Sequence, residues 1–247
     1  MDIPILSRND IPYVTTRQMI EVDRAMMEDY HIELLQMMEN AGRNLADLAR
    51  RRFLNGNPGG RRIVVFAGTG GNGGGAMACA RRLHNWGADV RVCTTRPNEA
   101  FKDVPAHQLD ILHRMKVPVA TAPVILGSND TDLVVDGIIG YSLNGAPCGL
   151  AADLIHLANG QTAPVLSLDA PSGVDTTSGM VFDPAIRAAA TMTLALPKEG
   201  LRADGVADNV GELYLADISV PPELYKEPAL RLKVGAIFAR DELLRLR

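Results

Sequence analysis

Four polar side chains stand at or just past the ends of apolar runs. Asp136 closes "DLVVDG", Asp169 closes "PVLSLD", Ser172 lies in the turn that follows, and Asn72 sits inside "GTGGNGGGA". One amide, two carboxylates and one hydroxyl are hard oxygen donors. Together they suit an alkali or alkaline-earth cation, or acid–base work by a carboxylate. Any single strand-end aspartate also serves as a helix N-cap, so the combination is what points to a site.

Gly68, Gly70 and Gly73 give G-x-G-x-x-G between a predicted strand and a predicted helix. Glycines there allow a tight turn, and the helix N-terminus offers free N–H groups to an anion, commonly a dinucleotide pyrophosphate. A ligand-free strand-to-helix turn has the same pattern. The Lys-Ser/Thr pair of a P-loop is missing. The next strand ends in Thr94-Thr95-Arg96 and lacks the acidic residue that grips a ribose diol in NAD-dependent dehydrogenases. None of His31, His84, His107, His113 and His156 falls at a predicted strand end. An NAD(P)-dependent oxidoreductase is therefore the third reading.

Several elements must position these groups. Thr15-Thr16-Arg17-Gln18 reads as a capping box that opens a helix reaching about Tyr30. Leu34, Met38, Ala41, Leu45 and Leu48 mark the apolar stripe of a second helix, ended by "NGNPGG". Strands are expected at 62–67, 89–94, 132–137, 164–169, 190–196 and 211–217, with helices at about 75–86, 105–115 and 147–159. Apolar strands alternating with amphipathic helices imply a mostly parallel sheet covered on both faces. The expected fold is thus a single three-layer α/β/α, Rossmann-like domain. It divides into an N-terminal arm (1–14), leading helices (15–54), an α/β core (61–220) and a C-terminal extension (221–247) whose last residues, "ARDELLRLR", suggest a surface helix or a partner-facing end.

The 247 residues carry a net charge of −4 and only 4% aromatics, which excludes an electrostatic or base-stacking nucleic-acid platform. Cys79, Cys93 and Cys148 lack CxxC spacing, as expected of reduced thiols. No membrane span and no secretion signal are expected, so the expected location is cytoplasmic.

Over most of its length the chain resembles the YjeF N-terminal domain family of NAD(P)H-hydrate epimerases. The matching pieces, in order, are "TTRQMIEVDRAM", "LLQMMENAG", "GTGGNGGGAMACARRL", "DLVVDGIIGYSLNGAPCG", "PVLSLDAPSGVDTTSG", "TMTLALPKEGL" and "LADISVP". The resemblance implies interconversion of the R and S epimers of hydrated NADH and NADPH, so that a separate dehydratase can repair one of them, by a protein that is often a homodimer. It implies potassium held by Asn72, Asp136 and Ser172. It implies substrate contacts from Gly71, Asn72, Gly73, Gly74 and Gly75, from Gly140, Tyr141, Ser142, Leu143, Asn144, Gly145 and Ala146, and from Asp169. Asp169 is the expected proton-handling or cation-stabilising residue, and Lys198 is expected to bring a second charge.

Two stretches depart from the family pattern. G-N-N-G-G-D-G becomes Gly70-Gly71-Asn72-Gly73-Gly74-Gly75-Ala76, and G-T-G-L becomes Gly140-Tyr141-Ser142-Leu143. A second reading follows from them: a nucleotide-binding or dimerisation module of the same fold that has lost the chemistry.

Overall fold

The computed structural model describes residues 2–121 and 131–247. In chain order the elements are β1 (Ile5–Leu6), α1 (Thr16–Glu28), α2 (Leu34–Arg52), β2 (Arg62–Ala67), α3 (Gly71–Asn85), β3 (Asp89–Thr94), α4 (Asp103–Arg114) and β4 (Val119–Ala120). There follow β5 (Leu133–Gly137), α5 (Leu150–Asn159), β6 (Val165–Leu168), β7 (Ala190–Leu194), the one-turn α6 (Ala207–Val210), β8 (Glu212–Ala216) and β9 (Leu243–Leu246).

The strands form one sheet in the order β1-β9-β8-β7-β6-β5-β2-β3-β4, in which only the β8–β9 pair is antiparallel. From β2 the chain winds outward through β3 and β4, then returns to lay β5 on the other side of β2. The strand order therefore reverses between β2 and β5. In open α/β sheets such a reversal leaves a crevice beyond the carboxyl ends of the strands. Ile63, Val65 and Ala67 of β2 join the core that buries α2, α3 and α4, whereas Val64 and Phe66 face Leu154, Ile155 and Ala158 of α5. Alternation along one strand thus builds both layers.

The capping box of α1 is present: Thr15 Oγ1 accepts from the Gln18 N–H at 3.2 Å, and Gln18 Oε1 accepts from the Thr15 N–H at 2.9 Å. Such a cap is worth about 1 kcal/mol.

Within the expected arm, Ile5–Leu6 form an edge strand, since β1 pairs in parallel with β9. Two expectations need correction. The C-terminus is a strand and not a helix. Leu243, Leu244 and Leu246 are buried where β9 pairs with β8 on one side and β1 on the other. Finally, α3 begins at Gly71, four residues ahead of the expected start, so most of the glycine run is helical. Packing holds it in that form. A Cβ on Gly73 would land on the Gly68 carbonyl oxygen, and one on Gly75 would lie 2.9 Å from Leu168 Cδ2.

The added edge is tied to α2 through Glu212, which accepts from Arg52 Nε at 2.8 Å and pairs with Arg245 at 2.9 Å. The Arg52 hydrogen bond, helped by Tyr214, draws the Glu212 carboxyl from its ordinary 4.5 to about 2. A group whose acidity is strengthened by folding contributes stability above its unfolded value and loses it as the pH falls toward its folded one. Glu212→Gln should therefore make the loss of stability between pH 4.5 and 2 less steep, as read by urea unfolding across that range.

Candidate active site

Beyond the carboxyl ends of β2, β5 and β6 lies a cavity of about 780 Å³, within the usual range for a small-molecule site. Its floor is Gly68–Asn72, Ile138–Ser142 and Asp169; its wall is α1 and α2, through Met19, Met27, Leu34, Met37 and Met38. The leading helices are thus one side of the binding space, and the methionines supply its polarisable apolar surface.

Helix α3 points its N-terminus at this space. Gly70 occupies the N-cap and offers no side chain, and the first helical bond runs from the Gly74 N–H to the Gly70 carbonyl at 3.0 Å. The N–H groups of Gly71, Asn72 and Gly73 precede that bond and have no partner within the helix. The Asn72 side chain is also unsatisfied: its Nδ2 is buried without a hydrogen-bond partner. The Gly140 backbone closes on this amide, and a Cβ there would lie 3.2 Å from Asn72 Oδ1.

Asp136 is fully buried one residue before the end of β5, in register with Ser167 of β6. Its Oδ2 accepts from Ser167 Oγ at 2.8 Å and from the Ser172 N–H at 2.9 Å. Its Oδ1 accepts from Ser172 Oγ at 2.6 Å and from the Ile138 N–H at 3.2 Å. Burial lifts the Asp136 carboxyl above the ordinary carboxylate range, opposed by those four bonds. Ser172 Oγ in turn accepts from the Ile139 N–H at 2.9 Å. Asp136 and Ser172 therefore lie beneath the cavity floor and support the Ile138–Ile139 turn, whereas Asn72 and Asp169 reach the cavity itself.

Asp169 follows β6 with φ of 65°, a left-handed conformation that turns its carboxylate inward. Oδ1 is ion-paired with Lys198 Nζ, and Oδ2 accepts from the Tyr141 N–H at 3.2 Å. Lys198 is completely buried and also donates to the Leu194 carbonyl at 2.9 Å and to Thr193 Oγ1 at 3.2 Å. All three of its N–H groups are taken. It is therefore a positioning residue for Asp169 and not a free charge. The Lys198 backbone is clamped by Val14, whose N–H donates to the Pro197 carbonyl and whose carbonyl accepts from the Glu199 N–H, each at 2.9 Å. The arm expected from the sequence thus helps to fix the site.

Of the expected contacts, Gly71, Asn72, Gly140, Tyr141, Ser142, Asp169 and Lys198 line the cavity. Gly73, Gly74 and Gly75 do not. They are buried in the first turns of α3 against Gly68, Met38 and Leu168. Leu143, Asn144, Gly145 and Ala146 also lie outside the lining, the last three of them exposed. No histidine lines the cavity either.

Asp23 is the residue that the sequence reading missed. It lines the cavity from α1, where its Oδ2 accepts from the Tyr141 hydroxyl. One signal was available: Asp23 falls four residues after Met19 and three before Met26, a carboxylate on an otherwise buried stripe.

The family model described as "YjeF-related protein N-terminus" matches residues 34–200. The chain is 40% identical, over 88% of its length, to the NAD(P)H-hydrate epimerase of Dehalogenimonas lykanthroporepellens, 86% of which it covers. It is 36% identical, over 85% of its length, to the bifunctional NAD(P)H-hydrate repair enzyme Nnr of Moorella thermoacetica, and spans 41% of that protein. In fold it resembles the crystal structure of yeast ynu0, with a TM-score of 0.81 at 24% identity, covering 96% of this chain and all of that one.

Proposed function

This chain belongs to the YjeF N-terminal family, and from that membership we propose that its cavity takes a hydrated nicotinamide dinucleotide and inverts the carbon bearing the added hydroxyl. It is an NAD(P)H-hydrate epimerase, an isomerase of cofactor repair. The observation that carries the site assignment is the meeting, in one cavity, of an uncapped helix N-terminus and an ion-paired carboxylate. The first suits a pyrophosphate, and the second suits a ring that becomes cationic.

The chemistry follows from the substrate. At C6 a hydroxyl and the ring nitrogen share one carbon. Protonation of the hydroxyl lets the C6–O bond break; water departs with the bonding pair, and the nitrogen lone pair forms a C6=N1 double bond. The ring is then flat at C6 and positively charged. Water adds to either face and loses a proton, giving either epimer. Asp169, fixed by Lys198 and the Tyr141 N–H, supplies negative charge opposite the cationic ring without having to reorganise. The methionines of α1 and α2 keep bulk water from the ring face.

Asn72, Asp136 and Ser172 would hold a potassium ion, as the family resemblance implies. They offer one amide oxygen, one hydroxyl and one carboxylate, a hard donor set with a single formal charge. The unsatisfied Asn72 amide is the observation in favour, since rotation of that group presents oxygen in place of nitrogen. The ion would supply fixed positive charge toward phosphate oxygens. The bifunctional relatives extend well beyond the matched part, which supports a functional partnership with a separate dehydratase.

Two linked measurements test the reading. Given a dehydratase that consumes only the S epimer, a mixture of both epimers should be consumed completely when this protein is added. A persisting R fraction would contradict the activity. Potassium should raise the thermal midpoint of the wild type and not that of Asn72→Ala; an equal rise in both would remove Asn72 from the ion site.

A further inference from the structure

We infer that Asp23 is a second proton-handling group of this site, stationed at the far end of Tyr141 from Asp169. The inference rests on the epimerase reading above and deepens it. Epimerisation through a flat cation sends a hydroxyl out on one face and brings water in on the other. Proton transfer is therefore needed at two stations, and one carboxylate serves only one of them.

Tyr141 joins two carboxylates. Its N–H donates to Asp169 Oδ2 at 3.2 Å, and its hydroxyl donates to Asp23 Oδ2. Both acids line the cavity, each held at one end of Tyr141. The two acids differ in their partners. Asp169 is bound to the buried Lys198 ammonium. Asp23 has no ion-pair partner among the described residues, and the neighbouring Arg24 guanidinium is committed to Glu21, Glu28 and Asp29.

The ionisable groups acting on Asp23 come from four elements. Tyr141 reaches it from the β5–α5 connection, Asp169 from the end of β6 and Lys198 from beyond β7, while Tyr225 senses it from the turn at 224–226. Burial, aided by the Asp169 charge, raises the Asp23 carboxyl above its ordinary range. The Tyr141 hydrogen bond and the Lys198 charge oppose this. Asp23 thus keeps its proton to a higher pH than a solvated aspartate and can give it.

In one direction the Asp23 carboxyl protonates the departing C6 hydroxyl. The C6–O bond breaks toward oxygen, and water leaves. A water entering from the opposite face forms the new C6–O bond and gives a proton to Asp169. One proton is supplied and one is taken up. The reverse direction exchanges the two roles, and solvent resets the pair.

The test is steady-state epimerisation across pH, with thermal unfolding and NADP⁺ binding measured in parallel. Asp23→Asn keeps the shape and should lower kcat by about 10²–10⁴-fold while still binding NADP⁺. It should also remove the fall in activity that the wild type shows as Asp23 loses its proton at high pH. Tyr141→Phe keeps the ring and the N–H to Asp169 but deletes the hydroxyl that pulls Asp23 down, so that fall should move to higher pH. A wild type that epimerises beside an Asp23→Asn variant of near-equal kcat and unchanged pH profile overturns the role of Asp23 and leaves the epimerase reading standing. An Asp23→Asn variant that no longer binds NADP⁺ also overturns the proton role, in favour of a structural one. A wild type that exchanges no epimers overturns both.

Discussion

Lys198→Met is expected to destabilise the fold by about 3–5 kcal/mol, the usual loss when one partner of a buried ion pair is removed. Lys198 is 0% exposed and Asp169 3%, so water cannot replace the missing ammonium. Methionine fills nearly the same length of space, which confines the effect to electrostatics and hydrogen bonds. Three acceptors lose their donor at once: the Asp169 carboxylate, the Leu194 carbonyl and Thr193 Oγ1. Urea unfolding reads the change. The double variant Asp169→Asn/Lys198→Met should lose less than the sum of the two single variants, because it strands no charge. A single-variant loss below about 1 kcal/mol, the scale of an exposed pair, would mean that the pair is not buried as described.

The second large effect is catalytic. Asp169→Asn should lower kcat for epimer exchange by about 10²–10³-fold with little change in KM. The asparagine oxygen still accepts from the Tyr141 N–H, so the turn and the cavity floor keep their shape. The negative charge facing the cationic ring is lost. Lys198 is left without its counter-charge, and the assay therefore belongs well below the thermal midpoint of the variant. Turnover within about threefold of the wild type would remove Asp169 from the electrostatics of the reaction.

Both predictions concern residues whose type and place were legible in the sequence. Strand-end logic selected Asn72, Asp136, Asp169 and Ser172, because an apolar run that stops at a polar residue marks where a sheet opens. That logic does not give depth. Asp136 and Ser172 hold the floor from below because Asp136 faces the α5 side of the sheet, in register with Ser167. The six central strands were readable for a related reason, since a strand buried on both faces is apolar along its length. β1, β4 and β9 were not. Two residues of β1, two of β4 and four of β9 carry no pattern long enough to read, and β1 and β9 become strands only by pairing across the whole chain length. The early start of α3 was hidden as well. Glycine favours helix poorly, and the run is helical because α2 and the sheet pack closely on it. Asp23 was hidden by a competing period: on α1, a carboxylate amid apolar neighbours looks like one turn of an amphipathic helix until the partner across the cavity is known.

The departures from the family pattern have separate consequences. Gly75 packs against Leu168, Ala41 and Met38, which themselves line the cavity. Tyr141 faces the cavity and brings a hydroxyl to Asp23. Gly71, where the family pattern has an amide, lines the cavity without a side chain, and Ser142 lines it where the pattern has glycine.

The most direct test of the mechanism is oxygen exchange during turnover in ¹⁸O-water. If the cavity breaks and remakes the C6–O bond, each enzyme-dependent inversion should place one solvent oxygen at C6, and label should appear in step with the opposite epimer. Epimer exchange that leaves the original oxygen in place would mean that the ring opens at nitrogen instead, and that Asp169 faces no cationic ring.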